Sequence, residues 1–139
     1  MKGLRLYKSE KLCSRTAVSN LFGGKGGNST IAYPLRAVFR FHDLQGESPA
    51  QFLITIPKKK IRHAVGRVLL RRRTREAYRL NRNLLYPALQ EAGVAADIAF
   101  IYLSTDEAPY EVIEAKMQEL LRRISRDALK TISNEETVE

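Results

Sequence analysis

Residues 58–82 hold eleven Lys or Arg side chains and a single acid, Glu76. Of the chain's 24 basic and 15 acidic side chains, 13 and 14 lie elsewhere, so the formal net charge of +9 comes from this one stretch, which we call the basic segment. A charge that only keeps a protein soluble is spread over its surface, whereas a binding stripe for a polyanion is local. The basic segment therefore predicts a partner with many negative charges, such as a nucleic acid.

The side chains of the basic segment recur at helical spacing. At 100° per residue, counted from Val65, most arginines fall in one arc and the leucines in the other. The arginine arc contains Arg67, Arg71, Arg72, Arg75, Arg79 and Arg82. The arc predicted to face the core contains Leu69, Leu70, Ala77, Leu80 and Leu84, while Val68 and Arg73 each fall in the wrong arc.

Arginines four residues apart on a helix repel one another, as in Arg67/Arg71, Arg71/Arg75 and Arg75/Arg79. Together these pairs cost roughly 1 kcal/mol before screening by salt, whereas a solvated helix face usually mixes both signs of charge. We expect Glu76 to relieve only Arg72 or Arg73. Because guanidinium groups bind phosphate through paired hydrogen bonds and stack on bases, we predict a nucleic-acid interface rather than a solvated face.

Three segments have the pattern of β-strands. Tyr33–His42 and Gln51–Pro57 alternate with period two, and the nearly continuous apolar run Asp97–Ser104 predicts a central, buried strand. Turn residues at 43–49 predict a hairpin between the first two strands. In the first strand the residues predicted to face the core are Leu35, Ala37, Phe39 and Phe41. Since a strand precedes the basic segment, the spacing excludes a helix-turn-helix, and a sheet beside a basic helix forms a cleft suited to single-stranded nucleic acid.

The remaining segments complete an α+β arrangement. A short helix is predicted over Arg15–Phe22, followed by a flexible loop, Gly23–Ser29, which lacks the terminal Lys-Ser/Thr of a phosphate-binding loop. Pro87 is expected to interrupt the helix of the basic segment before Gly93 ends it. A last amphipathic helix follows Pro109.

The length predicts one domain, residues 1–139, with an ordered core of about 4–130 and a frayed tail at 131–139. Cys13 is the chain's one cysteine and cannot form an internal disulfide, which fits a reducing compartment. The N-terminus has no apolar run typical of a signal peptide, and no later stretch has the length of a membrane span. We therefore predict a cytoplasmic protein.

The stretch Pro57–Arg79 resembles the signature of the protein component of bacterial ribonuclease P. That signature has paired lysines after a strand, an Ala, and an R-N-R-x-K-R core running into L-x-R-E-A-[FY]-R. Arg67 matches the first arginine of the core, Arg71 and Arg72 match its later basic pair, and 75–79 match the ending.

The chain departs from this signature inside the core. Val68 and Leu69 stand where the family has Asn and a second Arg, and we expect Arg73 to compensate. The opening segment, Leu6–Phe22, is similar to the family's N-terminal pattern, so the resemblance covers roughly residues 4 to 130.

The resemblance implies an αβββαβα sandwich similar to domain 2 of ribosomal protein S5, with a left-handed βαβ crossover. It also implies a fourth strand near Gly26–Ile31. The implied role is to bind a large catalytic RNA and the 5′ leader of precursor tRNA while the RNA, with Mg²⁺ held mainly by that RNA, removes the leader.

The resemblance and the charge pattern together predict two surfaces. The surface predicted to meet the catalytic RNA contains Lys58, Lys59, Lys60, Arg62, Arg67, Arg71, Arg72, Arg73, Arg75 and Arg79. The predicted leader-binding cleft contains Phe22, Arg36, Arg40 and Tyr78. For the two aromatic residues core packing stays an alternative, and for the two arginines an ordinary exposed strand face does.

No catalytic or metal-ligating residue is predicted, because the two histidines, His42 and His63, are isolated from acids at ligand spacing. Two other functions stay open: a structural RNA-binding protein resembling a ribosomal protein, and a nuclease that acts alone. If cleavage of precursor tRNA requires the catalytic RNA, that result would distinguish a ribonuclease P subunit from both of these alternatives.

Overall fold

The computed structural model describes residues 28–43 and 50–137. The strands in this part of the chain are β1 (Asn28–Ala32), β2 (Leu35–Asp43), β3 (Ala50–Thr55) and β4 (Val94–Tyr102). The helices are α1 (Ala64–Asn81), α2 (Tyr86–Ala92) and α3 (Tyr110–Thr137), with a 3-10 turn, Arg82–Leu84, between the first two. The predicted helix Arg15–Phe22 lies outside the described residues.

The four strands form one sheet in the order β1-β2-β4-β3. β1 and β2 pair antiparallel across a turn at Tyr33 and Pro34, so the fourth strand expected near Gly26–Ile31 is present. β2 and β4 pair antiparallel, and β3 and β4 pair parallel, with α1 and α2 in the crossover between them. The α+β class is confirmed, and the architecture is consistent with the ribosomal protein S5-like sandwich.

The predicted hairpin between β2 and β3 is wrong, because β4 lies between these strands. From Ala95 to Phe100 every residue of β4 is buried. A strand that is buried along its length is most stable with a neighbour on each side. The sequence predicts a central position for β4, and that position lies between β2 and β3. The turn residues 43–49 therefore connect two strands that are not neighbours in the sheet.

The core lies between one face of the sheet and the helices. From β2 it receives Leu35, Ala37 and Phe39, as predicted, while Phe41 packs at its margin. α3 contributes the fully buried Ile113, Met117, Leu120, Leu121 and Ile124 at helical spacing. The described helices contribute to this one cluster, so they cover the same face of the sheet.

The buried stripe of α1 differs from the predicted one. It consists of Gly66, Leu70, Thr74, Ala77, Tyr78 and Asn81. Thr74 and Asn81 are polar, but each donates a hydrogen bond of 2.8 Å to the carbonyl four residues earlier, which satisfies the buried group within the helix. The observed stripe is rotated about the helix axis relative to the predicted one, toward Thr74 and Asn81. Of the leucines predicted to face the core, Leu80 is therefore 38% exposed and Leu69 is half-buried.

The predicted helix boundaries are confirmed at Pro87 and Gly93. Pro87 occupies the first turn of α2, and Gly93 ends that helix with φ 69°, a left-handed conformation that glycine adopts without steric cost. α3 begins after Pro109, whose carbonyl accepts the N–H of Val112 at 3.1 Å. It continues to Thr137 and so includes most of the segment predicted to be frayed.

None of the helices in the described ranges has the combination of length and apolar character that crossing a bilayer requires.

Candidate nucleic-acid interface

The linker between β3 and α1 presents its cations outward around one buried anchor. The carbonyl of Pro57 accepts hydrogen bonds from the backbone N–H groups of Lys60 at 3.0 Å and Ile61 at 3.1 Å, which closes a turn. Ile61 enters the core and is only 6% exposed. The side chains that the turn leaves in solvent are those of Lys58, Lys59, Lys60, Arg62 and His63.

Arg67 fixes this linker to the helix. Its Nη1 donates to the carbonyl oxygen of Ile61 at 3.0 Å and to that of Arg62 at 2.8 Å. The side chain is half-buried. One donor of this predicted RNA-binding residue is therefore committed to holding the exposed lysines in place.

A cavity of about 600 Å³ opens between this linker and the loop that follows β4. Since β3 and β4 are parallel, both loops leave the carboxyl edge of the sheet, where open α/β sheets commonly bind ligands. The lining residues are Lys59, Lys60, Ile61, Arg62, His63, Thr105 and Glu107. With three permanent cations and one acid, the cavity favours an anionic group such as a phosphate.

Three arginines on α1 are exposed and lack an ion pair within the described part of the chain: Arg71, Arg72 and Arg75. We call them the arginine face. Arg75 lies four residues from Arg71 and three from Arg72, so the three guanidinium groups repel one another along one side of the helix. The predicted accumulation of positive charge is present at these three positions, where the nearby Glu76 carboxylate attracts Arg75 without forming an ion pair with it.

The other predicted arginines of α1 have partners within the chain. Arg73 Nη1 donates to the carbonyl oxygen of Ala108 at 2.6 Å, which ties α1 to the loop before α3. Arg79 Nε donates to Glu76 Oε2 at 3.0 Å. The expectation that Glu76 relieves Arg72 or Arg73 is therefore wrong. The hydrogen bond from Arg79 holds the pKa of Glu76 below its usual value, against the opposing effect of partial burial.

A polar seam closes the side of α1 that faces α3. Asn81 Nδ2 and the Tyr110 hydroxyl both donate to Glu114 Oε2, at 3.2 and 3.0 Å. The pKa of Tyr110 is raised to about 12, chiefly by burial and secondly by the contact with the Glu114 carboxylate. Arg82, placed on the arginine arc by its spacing, is only 6% exposed. The surface of α1 available to a large partner is thus the arginine face and the end next to the linker.

The face of the sheet away from the helices bears the predicted cleft arginines. Strand alternation places Arg36, Arg40 and His42 of β2 on this face, and Asp97 of β4 lies across from Arg40. His42 Nε2 lies 3.1 Å from Asp97 Oδ1. Arg36 Nη2 makes a long contact of 3.5 Å with the Ser29 hydroxyl. The side chains of Arg36, Arg40 and His42 are all half-buried. We call the sheet surface that carries these three residues and Asp97 the polar sheet face.

The structure corrects the placement of Tyr78. Its side chain is fully buried, with the ring centroid 4.3 Å from that of Phe52 and 5.7 Å from that of Phe100. It therefore packs between α1 and the sheet, on the side opposite the polar sheet face, and the core alternative is the correct one. Phe22, the other aromatic residue assigned to the cleft, lies outside the described residues.

Tyr33 is an exposed aromatic residue that the sequence reasoning missed. It occupies the turn after β1 and is 62% exposed. Ile31, two residues earlier, lies across from Arg36 on the polar sheet face. The signal in the sequence was an aromatic residue directly before Pro34, which the strand pattern assigned to the start of β2.

The described residues contain no group of three or more His, Cys, Asp or Glu side chains arranged to hold a metal ion. His63 is exposed at the start of α1, and His42 lies on the sheet beside one carboxylate.

The chain is similar to proteins of a known family. Residues 6–125 match the model of the Ribonuclease P family. The ribonuclease P protein component of Porphyromonas gingivalis is 38% identical over 120 residues, which cover 86% of each chain. That of Chlorobaculum tepidum is 31% identical over 134 residues, covering 89% of this chain and 85% of the other.

A solved structure has the same fold. The RNase P protein from Thermotoga maritima superimposes with a TM-score of 0.64 over 83% of this chain and 97% of its own, at 23% sequence identity.

The two tyrosines, one buried and one exposed, differ in their expected effect on stability. Tyr78→Ala removes a ring packed between two others, so we expect the free energy of unfolding to fall by about 3–5 kcal/mol. Tyr33→Ala, the matched control, should change it by less than about 0.5 kcal/mol. Urea denaturation followed by circular dichroism measures both. Equal effects of the two substitutions would contradict the burial of Tyr78.

Proposed function

The chain belongs to the ribonuclease P protein family, a family of subunits of a ribonucleoprotein endoribonuclease, and from that membership we propose how it takes part in tRNA processing. In this proposal the linker and the arginine face bind the catalytic RNA. The polar sheet face binds the 5′ leader of precursor tRNA. The RNA removes the leader, and the protein raises the affinity for the substrate.

The observation that carries the proposal is the set of exposed cations without carboxylate partners. Within the described part of the chain it includes Lys58, Lys59, Lys60, Arg62, Arg71, Arg72 and Arg75. Their mutual repulsion destabilises the free protein, and phosphates of a polynucleotide relieve it. A duplex or folded RNA offers phosphates over a length comparable to that of the linker and helix together.

The polar sheet face suits a single strand. Arg36 and Arg40 supply charge, and Tyr33 supplies an exposed ring at the end of β1 on which a base can stack. Phe22 stays part of the proposed cleft by its match to the family pattern. Because Arg36 and Arg40 are half-buried, they would contact the leader through the ends of their guanidinium groups.

The Mg²⁺ that the reaction uses is proposed to be held mainly by the RNA. Three-ligand clusters of His, Cys, Asp or Glu do not occur among the described residues, so we assign no protein side chain to the ion. The protein's own contribution is to bind and position the two RNAs. A cytoplasmic location is part of the proposal.

Cleavage of precursor tRNA tests the proposal directly. The purified chain is mixed with precursor tRNA at low Mg²⁺, with and without the ribonuclease P RNA from the same genome. We expect removal of the leader only when both components are present. Cleavage by the protein alone would support a nuclease, and RNA binding with no effect on cleavage would support a structural RNA-binding protein.

The arginine face should determine the salt dependence of RNA binding. If the seven exposed cations contact phosphates, log K should fall against log salt with a slope of about −5 to −6. Replacing Arg71 and Arg75 by Ala should make the slope less steep by about 1.4–1.8, because two counterions fewer are released. Fluorescence anisotropy over a salt series measures this.

The matched control replaces Arg122 and Arg126, two exposed arginines of α3, by Ala. This pair removes the same charge from another helix and should leave the slope unchanged. Equal slopes for both pairs would show that the charge of α1 acts only through the protein's net charge.

Tyr33 should contribute to leader binding and not to binding of mature tRNA. Stacking of one base on an aromatic side chain contributes about 1–3 kcal/mol, so Tyr33→Ala should weaken holoenzyme binding of precursor tRNA by that amount. Tyr33→Phe keeps the ring and should bind like the unchanged protein. An equal loss with tRNA that has no leader would contradict this assignment.

A further inference from the structure

The outer side of α1 next to the linker is apolar. Val65 is 81% exposed and Val68 is 44% exposed. Together with Ala64, Leu69 and Arg72 they line an open depression of about 380 Å³. Ala64, Val68 and Arg72 follow one another at intervals of four residues, as do Val65 and Leu69, so they share one side of the helix. We call Ala64, Val65, Val68 and Leu69 the valine patch.

In the described part of the fold the two valines of this patch lie outside the core. The buried stripe of α1 runs through Gly66, Leu70 and Tyr78, on another side of the helix. Single exposed apolar residues are normal on a protein surface, but a contiguous group surrounded by like charge requires an explanation. The group also includes the two positions, Val68 and Leu69, at which the chain departs from the family signature.

The charges around the patch restrict what can cover it. Arg72 forms one wall of the depression, Arg71 lies three residues from Val68, and none of the described residues that line the depression is acidic. A second copy of this chain would bring two identical basic surfaces together, which is costly. An apolar protein partner would have to bury the guanidinium groups without neutralising them.

The partner has to offer an apolar surface to the valines and negative charge to the arginines. An unpaired nucleobase of an RNA offers both. Its flat faces are apolar enough to pack on valine side chains and to stack on a guanidinium plane, and the phosphates attached to it are anionic. We propose that the valine patch binds one unpaired nucleobase of the ribonuclease P RNA, with Arg72 against the base and Arg71 and Arg75 on the flanking phosphates. This inference rests on the proposed RNA partner and adds a second kind of contact to it.

The lining predicts the character of the contact. Among the described lining residues only Arg72 has a side chain with hydrogen-bonding groups, so this lining has few means of reading base edges. Stacking area then decides the preference, which favours purines over pyrimidines. Because apolar burial releases no counterions, this part of the affinity should not depend on salt.

The experiment compares two double variants in binding to the ribonuclease P RNA from the same genome over a salt series. Val65→Ser with Val68→Ser should weaken binding by about 5- to 150-fold at every salt concentration, with an unchanged slope. The matched control, Val112→Ser with Leu129→Ser, removes two exposed apolar side chains from α3 and should bind like the unchanged protein.

Chemical probing of the RNA gives a second readout. The unchanged protein should protect one unpaired base that the Val65→Ser, Val68→Ser variant leaves reactive, while protection of the backbone persists. Urea denaturation of each variant verifies that the fold is retained. If the serine pair lowers stability, Val65→Ala with Val68→Ala replaces it, because alanine has the highest helix propensity.

Several results would overturn the inference. Unchanged affinity, a changed salt slope, or equal losses from the α3 control pair would each do so. Self-association of the unchanged chain that the valine variant abolishes, measured by sedimentation, would show that a second copy covers the patch. If the unchanged chain binds the RNA and supports cleavage, these results refute only this inference; if it does neither, the proposed function fails and the inference fails with it.

Discussion

The packing of Tyr78 against Phe52 and Phe100 determines how the rest of the molecule is arranged. These three rings join α1 to β3 and β4, the two parallel strands that the helix connects. Once this side of α1 is fixed on the sheet, its rotation is fixed, and the arginine face has to point away from the core. The same contact sets the position of the linker, because the linker spans the short distance from the end of β3 to the start of α1.

Sequence periodicity predicted the elements better than it predicted their neighbours. Alternation in β2, the apolar run of β4 and the positions of Pro87 and Gly93 are local signals, and the structure agrees with each of them. Strand pairing is not local: the turn residues 43–49 fit a hairpin, but the burial of β4 on both faces separates the strands on either side of that turn. The prediction of the buried stripe of α1 was wrong because Thr74 and Asn81 are polar. Each becomes a core residue by donating a hydrogen bond to a carbonyl of its own helix.

For the candidate site, the sequence predicted where the positive charge lies. The structure shows which of the arginines are bonded within the protein and which remain exposed. The helical wheel placed Arg73 outside the arginine arc but could not identify its partner, because the carbonyl that binds Arg73 belongs to Ala108, 35 residues away. Likewise Glu76 had several arginines within reach, and the choice of Arg79 depends on side-chain geometry. Guanidinium groups that hold the protein together and those that remain for a partner have the same sequence signature, so only the contacts tell them apart.

The two residues that depart from the family signature change the physics of the surface and not only its charge. A second arginine in place of Leu69 would have two like-charge neighbours, Arg72 at three residues and Arg73 at four, each at a cost of about 0.2–0.5 kcal/mol. Apolar side chains avoid that cost and offer burial in exchange. A helix that binds RNA partly through arginines and partly through valines retains part of its affinity when salt screens the phosphates. Its outer surface is therefore not uniformly electrostatic, and the apolar part is where this chain differs from the pattern it otherwise follows.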